Sequence, residues 1–171
     1  MKIFLVGLPG SGKSTLGRAL ADLLRLPFVD LDAVIEGETG KTVQLIFSEK
    51  GEAYFRDVEA STLRRISGSH QAFVMATGGG APCFHDNMKY ILQEGISIFL
   101  DVPVDEILER LEGTDTTMRP LFGAVSSQEI RARLERLWEL RRPVYLQASI
   151  TASGNQLNAM SLAQRLEHEK L

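Results

Sequence analysis

Cysteine occurs once in the 171 residues, at Cys83, so no intramolecular disulfide can form and a reducing cytoplasm is the expected compartment. The three histidines, His70, His85 and His168, are scattered without metal-ligand spacing, and no zinc site is expected from them. No stretch approaches the roughly 18 apolar residues of a membrane span. The opening "MKIFLVGLPGSGK" pairs a charge with an apolar run. That run is only about five residues long and meets glycines instead of a small-residue cleavage site, so it does not read as a signal peptide. A formal net charge of −3 argues against a basic nucleic-acid-binding face. There is no internal repeat, low-complexity tract or linker, and the N-K-x-D pattern by which guanine-nucleotide switches read their base is missing. Apolar and charged fractions are ordinary, so one globular domain over 1–171 is expected.

What is present alternates short apolar runs with helical periodicity. Ile3 to Val6 reads as a buried strand, and Leu16, Leu20, Leu23 and Leu24 then recur at helical spacing. A second strand begins at Phe28 and runs into "DLD". A helical pattern covers Val43 to Ser67 with an interruption at Gly51. Strands at Phe73 to Met75, Ile96 to Val102 and Ala148 to Ala152 follow, separated by helices, one opened by Pro103 and one by the capping-box spacing "SSQE" at Ser126 to Glu129. That last long helix is expected to reach Gln147, and a closing helix to start at Asn158. "GTDTTMRPLFGAV" is polar, glycine-bounded and aperiodic, which reads as a mobile loop. The expected fold is α/β: a five-stranded, mainly parallel sheet with helices on both faces.

"GLPGSGKS", Gly7 to Ser14, fills the G-x-x-x-x-G-K-[ST] pattern between an apolar strand and an amphipathic helix, the context that a phosphate-binding P-loop requires. Successive backbone N–H groups and the helix N-terminus can hold phosphate oxygens. Lys13 adds a compact cation, and the Ser14 hydroxyl can ligate Mg²⁺. "VDLD" then places Asp30 and Asp32 at i and i+2, leaving one face of a strand end at the sheet's carboxyl edge. On their own these acids would serve equally well as a solvated strand end or a helix cap. Beside a P-loop, one can orient Mg²⁺ through water and the other accept a hydroxyl proton. Spacing alone gives Arg56, Arg119, Arg141 and Arg142 no role beyond solvated charge. Three consecutive glycines in "ATGGGAP" are conformationally costly, and a simple loop would need one.

Together "GLPGSGKS", "DLD" followed by "IE", "IFSEKGEAYFRDVE", "ATGGG", "RPLF" and "RRPVY" resemble the shikimate kinase family, in matching order over nearly the whole chain. The resemblance implies a P-loop kinase domain of the nucleoside-monophosphate-kinase type, with a substrate-binding helical segment at 31–61 and a mobile lid at 113–124. It also implies transfer of the γ-phosphoryl of ATP to the 3-hydroxyl of shikimate, in the route to chorismate and the aromatic amino acids. On these positions Gly10, Ser11, Gly12, Lys13, Ser14 and Thr15 hold ATP, while Ser14 and Asp30 support Mg²⁺. Asp32 is the base on the reacting hydroxyl. Arg56 and Arg141 clamp the shikimate carboxylate, and Glu59 orients Arg56. Gly78, Gly79 and Gly80 present N–H groups to substrate hydroxyls, Phe47 and Phe55 wall the pocket, and Arg119 reaches the transferring group from the lid. "MATGGG" has no aspartate where other P-loop proteins place a second acidic motif, so Ser14, Asp30, water and phosphates must carry the metal. The family's adenine-stacking arginine has no aligned counterpart, Arg110 being nearest but displaced. Of the two arginines in "RRPVY", Arg141 fits the family pattern. ATP and shikimate are the expected partners, with no nucleic acid or membrane, and a monomer is expected. A gluconate-kinase-like enzyme of the same fold is the alternative; a nucleotide-dependent switch would leave the acceptor-side arginines idle.

Overall fold

The computed structural model describes residues 1–113 and 126–168. β1 (Lys2–Val6) leads into α1 (Lys13–Leu24), β2 (Phe28–Asp30), α2 (Leu31–Thr39) and α3 (Val43–Ser69). There follow β3 (Phe73–Ala76), a 3-10 turn (Ala81–Cys83), α4 (Asn87–Glu94), β4 (Ile96–Leu100) and α5 (Val104–Gly113). After the capping box at Ser126 come α6 (Ser127–Tyr145), β5 (Ile150–Ala152), a second 3-10 turn (Gly154–Gln156) and α7 (Ala159–His168). The strands form one parallel sheet in the order β2-β3-β1-β4-β5.

β1 takes the centre because it is apolar on both faces: Ile3, Phe4, Leu5 and Val6 are all 0% exposed. Each such side chain contributes about 1.5–3 kcal/mol by leaving water, and flanking strands on both edges are needed to seal it. Ile3 lies opposite Val74 of β3 and Ile96 of β4. The loops after β1 and β3 therefore emerge side by side at the carboxyl edge, where open α/β sheets bind ligands. Thr77 fixes the second of them, its Oγ1 and backbone N–H both donating to the Leu5 carbonyl at 2.9 and 3.2 Å.

α3 is two helices joined at Gly51, whose φ of 83° and ψ of 169° break the helix where the sequence places its interruption. The bend brings the rings of Phe47 and Phe55 together, centroids 4.6 Å apart. Several boundaries differ from those expected, β4 for one ending at Leu100 instead of Val102. β2 stops at Asp30, α6 ends at Tyr145 instead of Gln147, and β5 starts at Ile150. Pro143 lies in the last turn of α6 and withholds the N–H that would bond back toward Glu139. Among the described residues no helix is long and apolar enough to cross a membrane.

Two glycines give opposite expectations for the same substitution. At Gly95 a Cβ would drive into the Lys2 carbonyl oxygen and lie 2.9 Å from Lys2 Cβ. Gly37 is exposed within α2, and a Cβ there meets nothing within 4 Å. Gly95→Ala is expected to lose about 1–3 kcal/mol in urea denaturation, whereas Gly37→Ala should gain about 0.4–1 kcal/mol. Equal effects at the two positions would contradict this reading of the packing.

Candidate active site

Positive φ at Gly7, Gly10 and Gly12, of 148°, 79° and 89°, bends the chain from β1 into α1 and leaves successive N–H groups facing one concavity. Gly7 has no room for a side chain, since a Cβ would lie 2.9 Å from the Leu100 carbonyl oxygen. Lys13 folds over this cradle, its Nζ donating to the carbonyls of Gly7 at 2.9 Å and Leu8 at 2.7 Å. Burial pulls its pKa down to about 8, against the charges of Asp32 and Asp30. Gly10, Ser11, Gly12, Ser14 and Thr15 line the same turn and the first turn of α1. Arg110, on α5, lies against the cradle from the β4 side, with Nη1 donating to the Ser11 carbonyl at 3.3 Å.

Of the two placements open to the aspartates, a shared strand face and a helix cap, the structure takes the cap. They do not share a strand face. Asp30 ends β2 and caps α2, accepting from the Ala33 N–H at 3.2 Å, so Asp32 belongs to the first turn of that helix. The capping propensity of Asp30 overrides extension of the strand. Both carboxylates still arrive beside the cradle. Ser14 Oγ donates to Asp30 Oδ2 at 2.5 Å. Asp32 turns inward, and its Oδ1 is buried with no hydrogen-bond partner among the described residues. Burial pushes its pKa up to about 6, Asp30 adding and Lys13 opposing.

Arg56, on α3, is 6% exposed. Its Nη1 donates to Glu59 Oε2 at 2.8 Å, and Nε and Nη2 donate to Glu52 Oε1 at 3.3 and 3.2 Å. Rings of Phe84, Phe55 and Phe47 lie 4.3, 5.3 and 5.5 Å from its guanidinium carbon. Glu59 is wholly buried, and burial raises its pKa to about 7 in spite of Arg56. Its second oxygen, Oε1, also has no partner among the described residues.

These groups explain the glycine run, and the explanation is steric. None of Gly78, Gly79 and Gly80 has a positive φ. A Cβ at Gly78 would lie 2.7 Å from Glu59 Oε1 and 2.9 Å from Asp32 Oδ1. At Gly79 it would lie 2.7 Å from Pro9 Cδ, in the cradle, and at Gly80 2.6 Å from Arg56 Nη1. Each glycine faces a different neighbour. The Gly79 carbonyl in turn accepts from the Tyr145 hydroxyl at 2.5 Å. Arg141, one turn earlier on α6, is half-buried; burial raises the Tyr145 pKa and Arg141 lies close enough to oppose that rise, while its charge adds slightly to the lowering of Lys13 that burial dominates. Arg142 turns outward over Trp138, 5.3 Å from its ring centroid.

The fold therefore brings together Lys13, Ser14, Asp30, Asp32, Arg56, Arg141 and the glycine run. Arg119 and residues 114–125 lie outside the described residues. Pro9, Tyr145 and Phe84 escaped functional notice in the sequence. "RRPVY" carried a signal for Tyr145; Pro9 and Phe84 had none, since their roles depend on what the fold sets against them.

A glycine-bent cradle after the central strand of a parallel sheet, with buried acids and an arginine gathered beside it, is the arrangement of a P-loop phosphotransferase. The shikimate kinase profile matches residues 9–169. The chain is 42% identical over 156 residues to the shikimate kinase of Parabacteroides distasonis, covering 91% of this chain and 89% of the relative. With that of Persephonella marina it shares 43% over 151 residues, 88% and 87% of the two chains. Among solved structures, shikimate kinase from Bacteroides thetaiotaomicron superposes with a TM-score of 0.89 at 38% identity, covering 100% of this chain and 99% of that one. The Acinetobacter baumannii enzyme in complex with shikimate gives 0.84 at 38% identity, covering 99% and 92%. The chain belongs to the shikimate kinase family.

Asp32 generates an expectation about stability. Its folded pKa of about 6 exceeds the ordinary 3.8, so its contribution favours the fold below about pH 4 and is lost as pH rises through 6. Asp32→Asn should therefore be about 1–3 kcal/mol more stable than the parent near pH 8, the gap closing as the pH falls to about 4. Urea titrations at the two pH values check this; a variant less stable at both would contradict the burial of an ionised Asp32.

Proposed function

We propose that the protein transfers the γ-phosphoryl group of ATP to the 3-hydroxyl of shikimate, giving shikimate 3-phosphate and ADP in the route to chorismate. The observation that carries this reading is one buried carboxylate oxygen, Asp32 Oδ1, without a partner among the described residues and within electrostatic reach of both the cradle lysine Lys13 and the buried Arg56. An acceptor that carries both a hydroxyl and a carboxylate suits that pairing of acid and cation. A gluconate-type acceptor is not favoured, given family membership over nearly the whole chain.

Asp32 holds the 3-hydroxyl and takes its proton as the oxygen bonds to phosphorus and the bond to ADP breaks. A base with a pKa near 6 is ionised at neutral pH yet basic enough to accept that proton. Lys13 moves from the Gly7 and Leu8 carbonyls to the outer phosphates, and its charge is favoured once anions fill the cradle. Gly10 to Thr15 supply the phosphate-facing backbone and hydroxyls. Arg56 and Arg141 hold the shikimate carboxylate, with Glu59 fixing Arg56. Gly78 to Gly80 offer N–H groups at no steric cost to the ring hydroxyls. Arg119, in the 113–124 segment given the part of a lid, offsets charge on the transferring group.

Ser14 and Asp30 suit Mg²⁺, since a hydroxyl and a carboxylate oxygen meet at the cradle mouth and such hard donors leave positions for water and phosphate. When bound, the ion would offset charge on the phosphoryl oxygens. The protein acts on ATP and shikimate as a monomer in this reading, consistent with a mild net charge of −3, and the single half-buried cysteine suits the cytoplasm.

The test is ADP release with MgATP against shikimate, gluconate and nucleoside monophosphates, each beside a blank without acceptor. Turnover is expected with shikimate alone, and Asp32→Asn should reduce kcat about 10²–10⁴-fold with little change in ATP affinity. ATP binding without shikimate-dependent ADP would overturn the assignment.

A further inference from the structure

Arg56 has five N–H donors, and Glu52 and Glu59 engage three of them. The plane in which the rest are presented is set by whatever lies against the faces of the guanidinium. The nearest of its three rings is Phe84, at 4.3 Å. Phe84 is half-buried and stands outside the hydrophobic cluster formed by the described residues, so packing of that cluster does not account for an aromatic at this position.

The backbone that carries this ring is held in an unusual shape. The Phe84 carbonyl accepts from the Asn87 N–H at 2.9 Å, and the two residues between, His85 and Asp86, both have positive φ, of 50° and 55°. Paired left-handed residues are typical of turns built from Gly, Asn or Asp, and a histidine and an aspartate hold the shape less readily than glycine. Arg64 supplies the restraint from outside. Its Nη2 donates to the His85 carbonyl at 2.8 Å and its Nη1 to Asn87 Oδ1 at 2.6 Å. Asn87 is wholly buried, and its Nδ2 reaches back to the Ala81 carbonyl at 2.8 Å. His85 Nε2 also lies 3.0 Å from Asp57 Oδ1. Asp57 and Arg64 are on α3, the helix that carries Arg56, so the turn that follows Phe84 is tied to the element the ring must register against.

We infer that Phe84 is a positioning residue for the acceptor site: its ring, pinned through the Arg64–Asn87 clamp, holds the Arg56 guanidinium in the plane in which it receives the substrate carboxylate. The inference rests on the carboxylate role proposed for Arg56. Recognition of the carboxylate then depends on a residue that need not touch the substrate, and on a left-handed turn outside the phosphate cradle.

Steady-state kinetics of Phe84→Leu, Phe84→Tyr and Arg56→Ala, with shikimate and its methyl ester at saturating MgATP, test it. Phe84→Leu should raise the KM for shikimate about 3- to 20-fold, with kcat and the KM for ATP within roughly twofold. The KM for the ester should hardly move, and Phe84→Tyr, which keeps the ring, should behave as the parent. If Arg56→Ala raises the shikimate KM and Phe84→Leu does not, the inference is overturned while the carboxylate role stands. Equal losses of Phe84→Leu on acid and ester would also overturn it, because the ring would then be packing the pocket as a whole. An unchanged KM in Arg56→Ala would remove the carboxylate role itself, and the inference with it.

Discussion

The rest of the site depends on the closeness with which the loop after β3 approaches its neighbours, and three missing side chains allow it. At Gly78, Gly79 and Gly80 the backbone lies against two carboxylates, the ring of Pro9 and a guanidinium respectively, each nearer than a Cβ could tolerate. Two loops that leave adjacent strands would otherwise be held apart by the width of a side chain. Here the cradle and the proposed acceptor groups beside it share a wall made of bare backbone. Phosphoryl transfer depends chiefly on positioning, and an added ångström between donor and acceptor would cost rate steeply. Tyr145 and Thr77 complete the arrangement, one bonding the Gly79 carbonyl and the other tying the loop to the end of β1.

That closeness concentrates charge where water is scarce. Lys13, Asp32, Arg56 and Glu59 crowd one region, and burial shifts Lys13 down to about 8, Asp32 up to about 6 and Glu59 up to about 7. Two carboxylate oxygens there lack partners among the described residues. Such an arrangement opposes folding and favours function: the unpartnered groups are available to a ligand, and the anions of a bound nucleotide favour the lysine charge that burial penalises. The core beneath, centred on a strand wholly withdrawn from water, supplies the stability that tolerates it.

Much of this was legible in the sequence, for reasons that differ by element. The cradle was readable because a P-loop is a local motif: its glycines, lysine and serine are contiguous, and flanking strand and helix identify it. The interruption at Gly51 and the capping box at Ser126 were equally local. The shared strand face expected of the aspartates gives way to the helix cap that the same residues also allow, because a strand pattern cannot decide that Asp30 will cap a helix and leave Asp32 in its first turn. The purpose of the glycine run was half visible. Three glycines announce close approach, but Glu59, Pro9 and Arg56 come from other parts of the chain, and only the folded topology sets them opposite. Phe84 was silent for the same reason, its partner lying 28 positions away on α3.

The most direct measurement compares Gly79→Ala with Gly80→Ala in substrate affinity, read by titration calorimetry with a non-hydrolysable ATP analogue and with shikimate. A Cβ at Gly79 pushes on Pro9 in the cradle, so affinity for both ligands should fall; a Cβ at Gly80 pushes on Arg56, so shikimate affinity should fall with the nucleotide little affected. If Gly79→Ala weakened shikimate alone, the two sites would not share a wall, and the steric explanation of the glycine run would fail.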